Sequence, residues 1–373
     1  MKYCSKCLMP DTRPGIKFDE KEVCAGCRAY EKQKTTDWTQ RMSEFEKLCN
    51  KYRKSNGDYY DCAIAVSGGK DSHFQVYYIK EVMKMNPVLL SCTPLDWTET
   101  GRNNLENLSD TFSCDIISFN PNRNVARKMQ KKAFIELGSP GWYYDALIYA
   151  FPYRMTMQLG LKFLIYGEDT SYTYGGKYDK ETPSAMLQPL NDAVKPVWDK
   201  WLENGDIKES ELNAAKQPTI EECQKHNLDP IYLSYFVPWD SDRNYQIAKR
   251  FGFRHLDHEY IREGTLENYN QIDSIGYLLS QYLKYPKYGH ASATEMASRW
   301  IRAGLKTREE MIPFVKKLDK KLDQGIIDKF LEFTGMSIKE FWTIMDKWFN
   351  PELFEQDKNG LWHEKFEVGV GLK

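Results

Sequence analysis

The chain has 373 residues, and 52 Lys and Arg balance 53 Asp and Glu, so the net charge is −1. This balance argues against a nucleic-acid partner, and the 28% charged and 14% aromatic residues are typical of a globular protein. No apolar run approaches the roughly 18 residues of a spanning helix, and the amino-terminal residues lack a signal-peptide core. We therefore expect a cytoplasmic protein of about two domains with no membrane partner.

The first residues contain two Cys-x-x-Cys pairs, Cys4 with Cys7 and Cys24 with Cys27. Each pair can place two thiolates on one ion, and four sulfurs complete a tetrahedral structural zinc site. Iron stays open as the metal, because the ligands alone do not distinguish the two. We predict a zinc-ribbon module over residues 1–35 that is held together by its metal rather than by an apolar core.

The other five cysteines are isolated in the sequence, and we interpret them as small buried side chains. None of them lies in a Gly-x-Cys-x-Gly elbow, which would expose a nucleophile. The chain therefore shows no glutamine-hydrolysing site of its own. These cysteines are Cys49, Cys62, Cys92, Cys114 and Cys223.

Strands and helices are predicted to alternate after the module. A polar segment at 36–56 predicts a connecting helix, and short apolar runs that end in glycine or loop residues predict strands. Such alternation favours a parallel sheet with helices on both faces, which binds ligands at the carboxyl ends of its strands. The predicted strands are 60–66, 87–92, 115–119 and 162–166, with helices at 103–112 and at 124–160 with an interruption at 138–141.

Beyond about residue 200 the pattern becomes helical. Three Thr/Ser-x-x-Glu capping boxes predict helix starts, and the run 231–237 is a candidate for one more strand. We expect an α/β domain at 36–200 and a mainly helical region for substrate or partner contacts at 201–373. The capping pairs are Thr219 with Glu222, Thr307 with Glu310, and Ser337 with Glu340.

The most informative stretch follows the first predicted strand, at residues 65–72. Glycines allow a tight turn whose N–H groups approach a phosphate, and the next helix aims its N-terminus at the same point. Lys70 can bring a charge to the phosphates, and Asp71 can hold Mg²⁺ through water. The predicted nucleotide contacts here are Ala65, Ser67, Gly68, Gly69, Lys70, Asp71 and Ser72.

Two other loops lie at the same predicted sheet edge. Thr93 begins the segment after the second strand, while Gly167, Glu168 and Asp169 follow the fourth. The two carboxylates could bind Mg²⁺ or orient an attacking group, or they could be solvated loop acids. In the same segment as Thr93, Trp97 could equally belong to the core.

Residues 67–72 resemble the Ser-Gly-Gly-x-Asp-Ser loop of the ATP-pyrophosphatase (PP-loop) superfamily. The whole pattern resembles the N-acetyl sugar amidotransferase family of the WbpG and PseA types. Asp169 stands where many members carry Asn, and Ser292 where many carry Arg. The resemblance includes the segments 9–15, 166–169, 174–176, 264–265, 272–273, 285–289, 297–302 and 304–310.

This resemblance implies an α/β fold of the adenine nucleotide alpha hydrolase-like (HUP) type. It implies conversion of an acetamido group on a sugar to acetamidino, through an O-adenylyl imidate, with ATP, Mg²⁺ and structural Zn²⁺. The loop at 67–72 would hold the phosphates, with Thr93 and Gly167 beside the nucleotide. The residues expected to take part in catalysis are Lys70, Asp71, Glu168 and Asp169.

The expected substrate is an N-acetylated sugar of surface-glycan synthesis, for flagellin or lipopolysaccharide. It would be a nonulosonic acid, such as pseudaminic or legionaminic acid, or a nucleotide-activated sugar. A HisH-like glutaminase subunit would supply ammonia, with ammonia from solution or a different amidotransferase as the alternatives. Candidate anion clamps are Arg243, Arg299 and Arg302, and candidate stacking aromatics lie at 172–174 and 232–239.

Two other functions stay open at this point. A tRNA thiolase can combine a cysteine-rich ribbon with a PP-loop, but it usually needs a further cysteine pair in its catalytic domain. A non-catalytic binding module is disfavoured by the intact loop. The segment 255–258 carries two His, which without further ligands favour ordinary polar residues over a second metal site.

Overall fold

The computed structural model describes residues 1–55, 59–94, 96–170, 181–187 and 197–372. Its centre is a sheet of five parallel strands in the order β3-β2-β1-β4-β5. The first two strands pair from Cys62 opposite Pro87, and β4 pairs with β5 from Phe163 opposite Asp229. The strands are β1 (Cys62–Ala65), β2 (Pro87–Cys92), β3 (Ile116–Phe119), β4 (Phe163–Tyr166) and β5 (Asp229–Tyr232).

The strands are mainly apolar because helices cover both faces of the sheet. On β2, Leu89 contributes to one core and its neighbour Leu90 to the other, as the alternation of a strand requires. One face packs against α2 (Trp38–Ser55), α3 (Lys70–Tyr77) and α4 (Glu99–Phe112). The opposite face packs against α5 (Arg123–Leu137) and α6 (Trp142–Gln158).

The four predicted strands and the interruption between α5 and α6 are confirmed. The strand expected at 231–237 is wrong in part, because β5 ends at Tyr232 and a helical turn follows. An apolar run carries no period that separates a strand from a buried turn, which explains the error. Since β5 belongs to the sheet, the sheet continues beyond the domain boundary placed at residue 200.

The C-terminal region is helical, and the three predicted capping boxes are present. It is joined to the sheet domain through α5, where the ring of Phe134 stacks on Phe341 at 5.3 Å between centroids. Short hairpins end the chain. The remaining helices are α7 (Asp199–Glu203), α8 (Glu209–Leu212), α9 (Ile220–Lys225), α10 (Leu233–Phe236), α11 (Ser241–Arg250), α12 (Ile275–Tyr288), α13 (Ser292–Arg302), α14 (Arg308–Leu318), α15 (Gln324–Thr334) and α16 (Ile338–Lys347).

The N-terminal module has little regular structure apart from α1 (Ala25–Gln33). It packs onto the C-terminal region, where Leu8 enters a core made by α13 and α14. The Arg308 guanidinium donates hydrogen bonds to the carbonyl oxygens of Cys4 and Cys7. Among the residues that the structure describes, no helix is both long enough and apolar enough to cross a membrane.

Candidate functional site

The loop after β1 is shaped to receive an anion. Gly68 has φ +89°, and a Cβ there would lie 2.8 Å from the backbone N of Leu105, so only glycine fits. The Ser72 hydroxyl accepts a hydrogen bond from the Ser67 N–H at 3.0 Å, and the Ser67 hydroxyl accepts one from Gly69 at 3.3 Å. Gly69 then caps α3, whose N-terminus points into the loop. These two hydrogen bonds and the glycine conformation together define the shape of the loop.

The charged pair of this loop is already formed. Lys70, only 3% exposed, places its Nζ 2.6 Å from the Asp71 carboxylate, which also accepts a hydrogen bond from Asn244 at 2.9 Å. Burial raises the pKa of Asp71, but Lys70, Asn244 and Arg299 together hold it below its usual value. Asp71 is thus ionised and able to attract a hydrated cation.

A cavity of about 300 Å³, the central cavity, opens beside this loop. It lies between the carboxyl ends of β1 and β4, where the chain reverses its direction of winding and ligands bind in such sheets. The walls come from the loop, α4, α6, the segment 269–273 and α13. The lining residues with polar side chains are Ser67, Lys70, Asp71, Ser72, Asn104, Tyr144, Tyr149, Glu168, Thr170, Tyr269, Asn270, Gln271, Asp273, Tyr277, Ser292, Glu295 and Arg299.

The structure brings some of the predicted residues together and separates others. Residues 67–72 and Glu168 line the central cavity. Asp169 is buried, with its N–H donating to the Ser234 hydroxyl, and does not line it. Thr93 lines a different and more open hollow at the ends of β2 and β3. Ala65 and Gly167 do not line the central cavity. Gly167 packs against the side chain of Gln75.

Sequence reasoning missed the wall that α13 provides. Ser292, Glu295, Met296 and Arg299 follow at helical spacing and face the central cavity together. The sequence predicts Arg299 only as one of three candidate anion clamps. A carboxylate and a guanidinium one turn apart on an otherwise apolar helix face are the sequence signal that could have found this wall.

Glu295 is held as an anion inside this wall. Its carboxylate accepts from Lys284 at 2.9 Å and from Arg13 of the N-terminal module at 3.3 Å. Burial raises its pKa, but Lys284, Arg13 and His290 hold the pKa well below its usual range. The N-terminal module therefore contributes directly to the position of a cavity residue.

Asp273 is the other carboxyl group that the sequence analysis left without a role. Burial, with a smaller contribution from Asp96, raises its pKa to about 6, although its own backbone N–H lowers it. The N-terminal end of α4 fixes its position, because a Cβ on Gly101 would come within 2.6 Å of its Cα. A cavity carboxyl with this pKa can exchange a proton near neutral pH.

The four cysteines of the module converge, as predicted. Their sulfurs lie within 4.8 Å of one another and all four residues are buried. Cys4 and Cys27 are 3.8 Å apart and Cys7 and Cys24 are 3.7 Å apart, between sulfurs. A tetrahedron with zinc–sulfur bonds of about 2.3 Å has edges of roughly 3.8 Å, so the cluster fits zinc.

Arg302, at the end of α13, lies against this cluster. Its Cζ would be 3.1 Å from a Cβ on Gly26, within α1. Burial lowers the pKa of its guanidinium, but the sulfurs of Cys7, Cys24 and Cys27 raise it by more. The arginine therefore offsets the negative charge of the thiolates and ties the module to the helix that lines the central cavity.

The other sequence expectations are resolved as follows. Arg243 covers the ring of Phe74 at 4.6 Å and donates to the Pro238 carbonyl, away from the central cavity. His255 pairs with Asp257, and among the described residues only the four cysteines could form a metal cluster. The five isolated cysteines are buried, as predicted. The aromatics at 172–174 lie outside the described residues.

The strand order and the loop after β1 define a PP-loop α/β fold of the nucleotide-binding type. Residues 263–367 match the family described as LPS biosynthesis protein WbpG-like, C-terminal domain. The helix α13, which lines the central cavity, lies within this matched segment.

Among known proteins, the chain is 26% identical over 188 residues to uncharacterized protein MJ1599 of Methanocaldococcus jannaschii, which is 50% of this chain. The match spans 66% of that relative's length, so part of the relative has no counterpart in the alignment.

Weaker likenesses to solved structures were also found. NMN synthetase from Francisella tularensis gives a TM-score of 0.34 at 11% identity, over 82% of this chain and 96% of that one. NH3-dependent NAD synthetase from Campylobacter jejuni gives a TM-score of 0.31 at 15% identity, over 51% of this chain and 94% of that one. A predicted subunit of tRNA methyltransferase from Methanocaldococcus jannaschii gives a TM-score of 0.27 at 14% identity, over 50% of this chain and 73% of that one.

Proposed function

We propose that this protein is an ATP-dependent amidotransferase that converts the acetamido group of an N-acetylated sugar to an acetamidino group during LPS-type surface-glycan synthesis. The observation that carries the proposal is the shared cavity. The loop at residues 67–72, which we call the phosphate loop, forms one wall, and α13 of the WbpG-like domain forms another. A nucleotide and a second substrate can therefore meet between the two.

The loop would hold the phosphates of ATP. Its backbone N–H groups and the N-terminus of α3 favour an anion, and Lys70 adds a charge that burial keeps from being screened. Bound Mg²⁺ would neutralise phosphate charge, and Asp71 and Glu168 are the loop and sheet-edge carboxylates that could hold it.

The chemistry follows from the poor reactivity of an amide. Attack of the amide oxygen on the ATP α-phosphorus forms an O–P bond, expels pyrophosphate and, with loss of the amide proton, leaves an O-adenylyl imidate. Ammonia then attacks the imidate carbon, the C–O bond breaks and AMP leaves. Asp273, with a pKa of about 6, would accept the proton that the attacking nitrogen loses.

The polar side chains of α13 and the segment 269–273 would bind the sugar. Arg299 brings a guanidinium to the central cavity, which suits the carboxylate of a sugar acid or the diphosphate of a nucleotide sugar. The four cysteines would hold Zn²⁺ as a structural ion, since all four positions are sulfur and none is left open for chemistry. Ammonia would come from a HisH-like glutaminase subunit or from solution.

The experiment is mass spectrometry of N-acetylated sugar acids and nucleotide sugars after incubation with the protein, MgATP and ammonium chloride. Replacing O by NH lowers the mass by about one unit, and ¹⁵N-ammonium makes the product one unit heavier than ¹⁴N-ammonium does. Pyrophosphate release must accompany the change. Pyrophosphate release with no nitrogen in the product would refute amidotransfer.

The tRNA thiolase alternative predicts a further cysteine pair in the catalytic domain. Cys92 is the only cysteine among the described residues that line the central cavity, and burial raises the pKa of its thiol well above the usual value. Salt-sensitive, sub-micromolar tRNA binding would favour thiolation over the proposal.

A further inference from the structure

A second, smaller cavity of about 70 Å³, the side cavity, lies between the N-terminal module and α13. It is built by α1, by the segment 239–242 and by the C-terminal half of α13. Two exposed residues, Asp242 and Leu305, stand at its outer side. Its lining residues are Gly26, Tyr30, Gln33, Glu168, Trp239, Asp240, Ser241, Asp242, Tyr269, Met296, Arg299, Trp300, Arg302, Ala303 and Leu305.

The side cavity and the central cavity adjoin. They share part of their lining, so a wall one side chain thick separates them. This shared wall consists of Glu168, Tyr269, Met296 and Arg299. Since Met296 is an unbranched side chain with several rotatable bonds, this wall can open without moving the backbone.

The dimensions of the side cavity limit what it can admit. A buried water molecule needs about 10–15 Å³ of cavity space, so the side cavity accommodates about five molecules of that size and neither a nucleotide nor a sugar. Trp239, Met296 and Trp300 make much of its surface apolar. The guanidinium groups of Arg299 and Arg302 share the walls with three carboxylates, so the lining selects neither an anion nor a cation by its charge. These carboxylates belong to Glu168, Asp240 and Asp242. A small neutral molecule is the ligand class that fits.

We infer that the side cavity is the route by which ammonia reaches the central cavity, entering at the junction of the N-terminal module and the α13–α14 turn. This inference rests on the proposed function, which requires ammonia and no bulk water at the imidate carbon. Ammonium loses its proton to solvent at the rim, because neutral ammonia enters the apolar interior at a lower free-energy cost than the charged ion. The same rim is the surface over which an ammonia-producing subunit would sit.

The test is to fill the side cavity from residues that do not touch the central cavity. Ala303→Trp and Gln33→Trp each place a large ring in it from opposite walls, and Lys306→Trp adds the same ring at an exposed position outside it. The KM for ammonium chloride, the KM for ATP, pyrophosphate release without ammonium and the thermal midpoint are measured for each variant.

We expect the two filled variants to raise the KM for ammonium by about tenfold or more, with pyrophosphate release and the KM for ATP unchanged. More ATP is then consumed per amidine formed, because water hydrolyses the O-adenylyl imidate while ammonia is slow to arrive. Lys306→Trp should match the wild type. A second arm supplies ammonia from ¹⁵N-amide glutamine and a HisH-like subunit, which distinguishes a partner source from ammonium in solution.

The outcomes separate the inference from the function on which it rests. Normal ammonium KM values in both filled variants, with normal thermal midpoints, would overturn the route while amidotransfer stands. If the wild type releases pyrophosphate and incorporates no nitrogen, the proposed function itself fails. If only Ala303→Trp lowers the thermal midpoint, the KM for ammonium of Gln33→Trp decides whether the route stands.

Discussion

The phosphate loop and the four-cysteine module are both suited to bind an ion, but one site is open to a cavity and the other is closed. The loop is open on one side, where residues 67–72 and the N-terminus of α3 face the central cavity. The cysteine cluster is closed, with four buried sulfurs and the guanidinium of Arg302 against it. The open site can exchange its ligand at each turnover, whereas the closed site can only support structure.

The two sites are connected through α13. Its first turns carry Glu295 and Arg299 to the central cavity, and its last residue, Arg302, lies against the cysteines. A change at the closed site should therefore reach the open one through this helix, whereas a change at the open site should leave the closed one intact. The predictions below test this asymmetry.

Breaking the closed site should have the largest effect. Cys24→Ser removes one of four ligands, and structural zinc sites of this kind contribute about 10–16 kcal/mol of metal binding. We expect zinc to fall from one ion per chain to none, with faster hydrogen exchange in α13 and lower amidine formation. Cys114→Ser, at a buried cysteine outside the cluster, should keep its zinc. Zinc retained at full occupancy in Cys24→Ser would contradict the assignment.

Breaking the open site should remove activity and spare structure. Asp71→Asn keeps the shape of the side chain but loses the charge that pairs with Lys70 and could attract Mg²⁺. We expect pyrophosphate release to fall about 100-fold or more, with zinc content unchanged. Glu81→Gln, at an exposed carboxylate that pairs only with Lys84, is the matched control. Loss of zinc in Asp71→Asn would show that coupling runs both ways.

The proton-handling role that we propose for Asp273 can be tested separately from nucleotide binding. With a pKa of about 6, the carboxyl is a base only when ionised. At a constant concentration of free ammonia, amidine formation should therefore rise as pH increases through about 6 and then level off. Asp273→Asn should remove that rise and slow amidine formation roughly 10- to 100-fold. Asp257→Asn, at an exposed acid, should keep the wild-type profile. An unchanged pH profile in Asp273→Asn would assign the proton to another group.

The smallest effect concerns the shape of the loop. Gly68→Ala adds a Cβ at φ +89° that meets Leu105, whereas Gly160→Ala adds one at φ +70° with no atom within 4 Å. Gly160→Ala should lose roughly 1–2 kcal/mol of stability from backbone strain. Gly68→Ala should lose more, because its Cβ also clashes with the backbone of Leu105. Only Gly68→Ala should also raise the KM for ATP, by about tenfold. Equal KM values for the two variants would show that the loop does not bind the nucleotide.

The local parts of this protein could be read from its sequence. The cysteine pairs, the phosphate loop, four of the five strands and three capped helices each depend on residues within a few positions of one another. Spacing, glycine content and apolar runs report such features directly. The error at 231–237 arose where an apolar run carried no period to separate a strand from a buried turn.

The cavity walls were decided only by the tertiary structure. Asp273 reaches the site because residues 272–274 lie against 97–101, and Glu295 is held by Lys284 and by Arg13, which is 282 positions away. The pKa of a carboxyl likewise depends on which groups bury it. No short pattern encodes such neighbours, because they result from how helices pack rather than from local conformation.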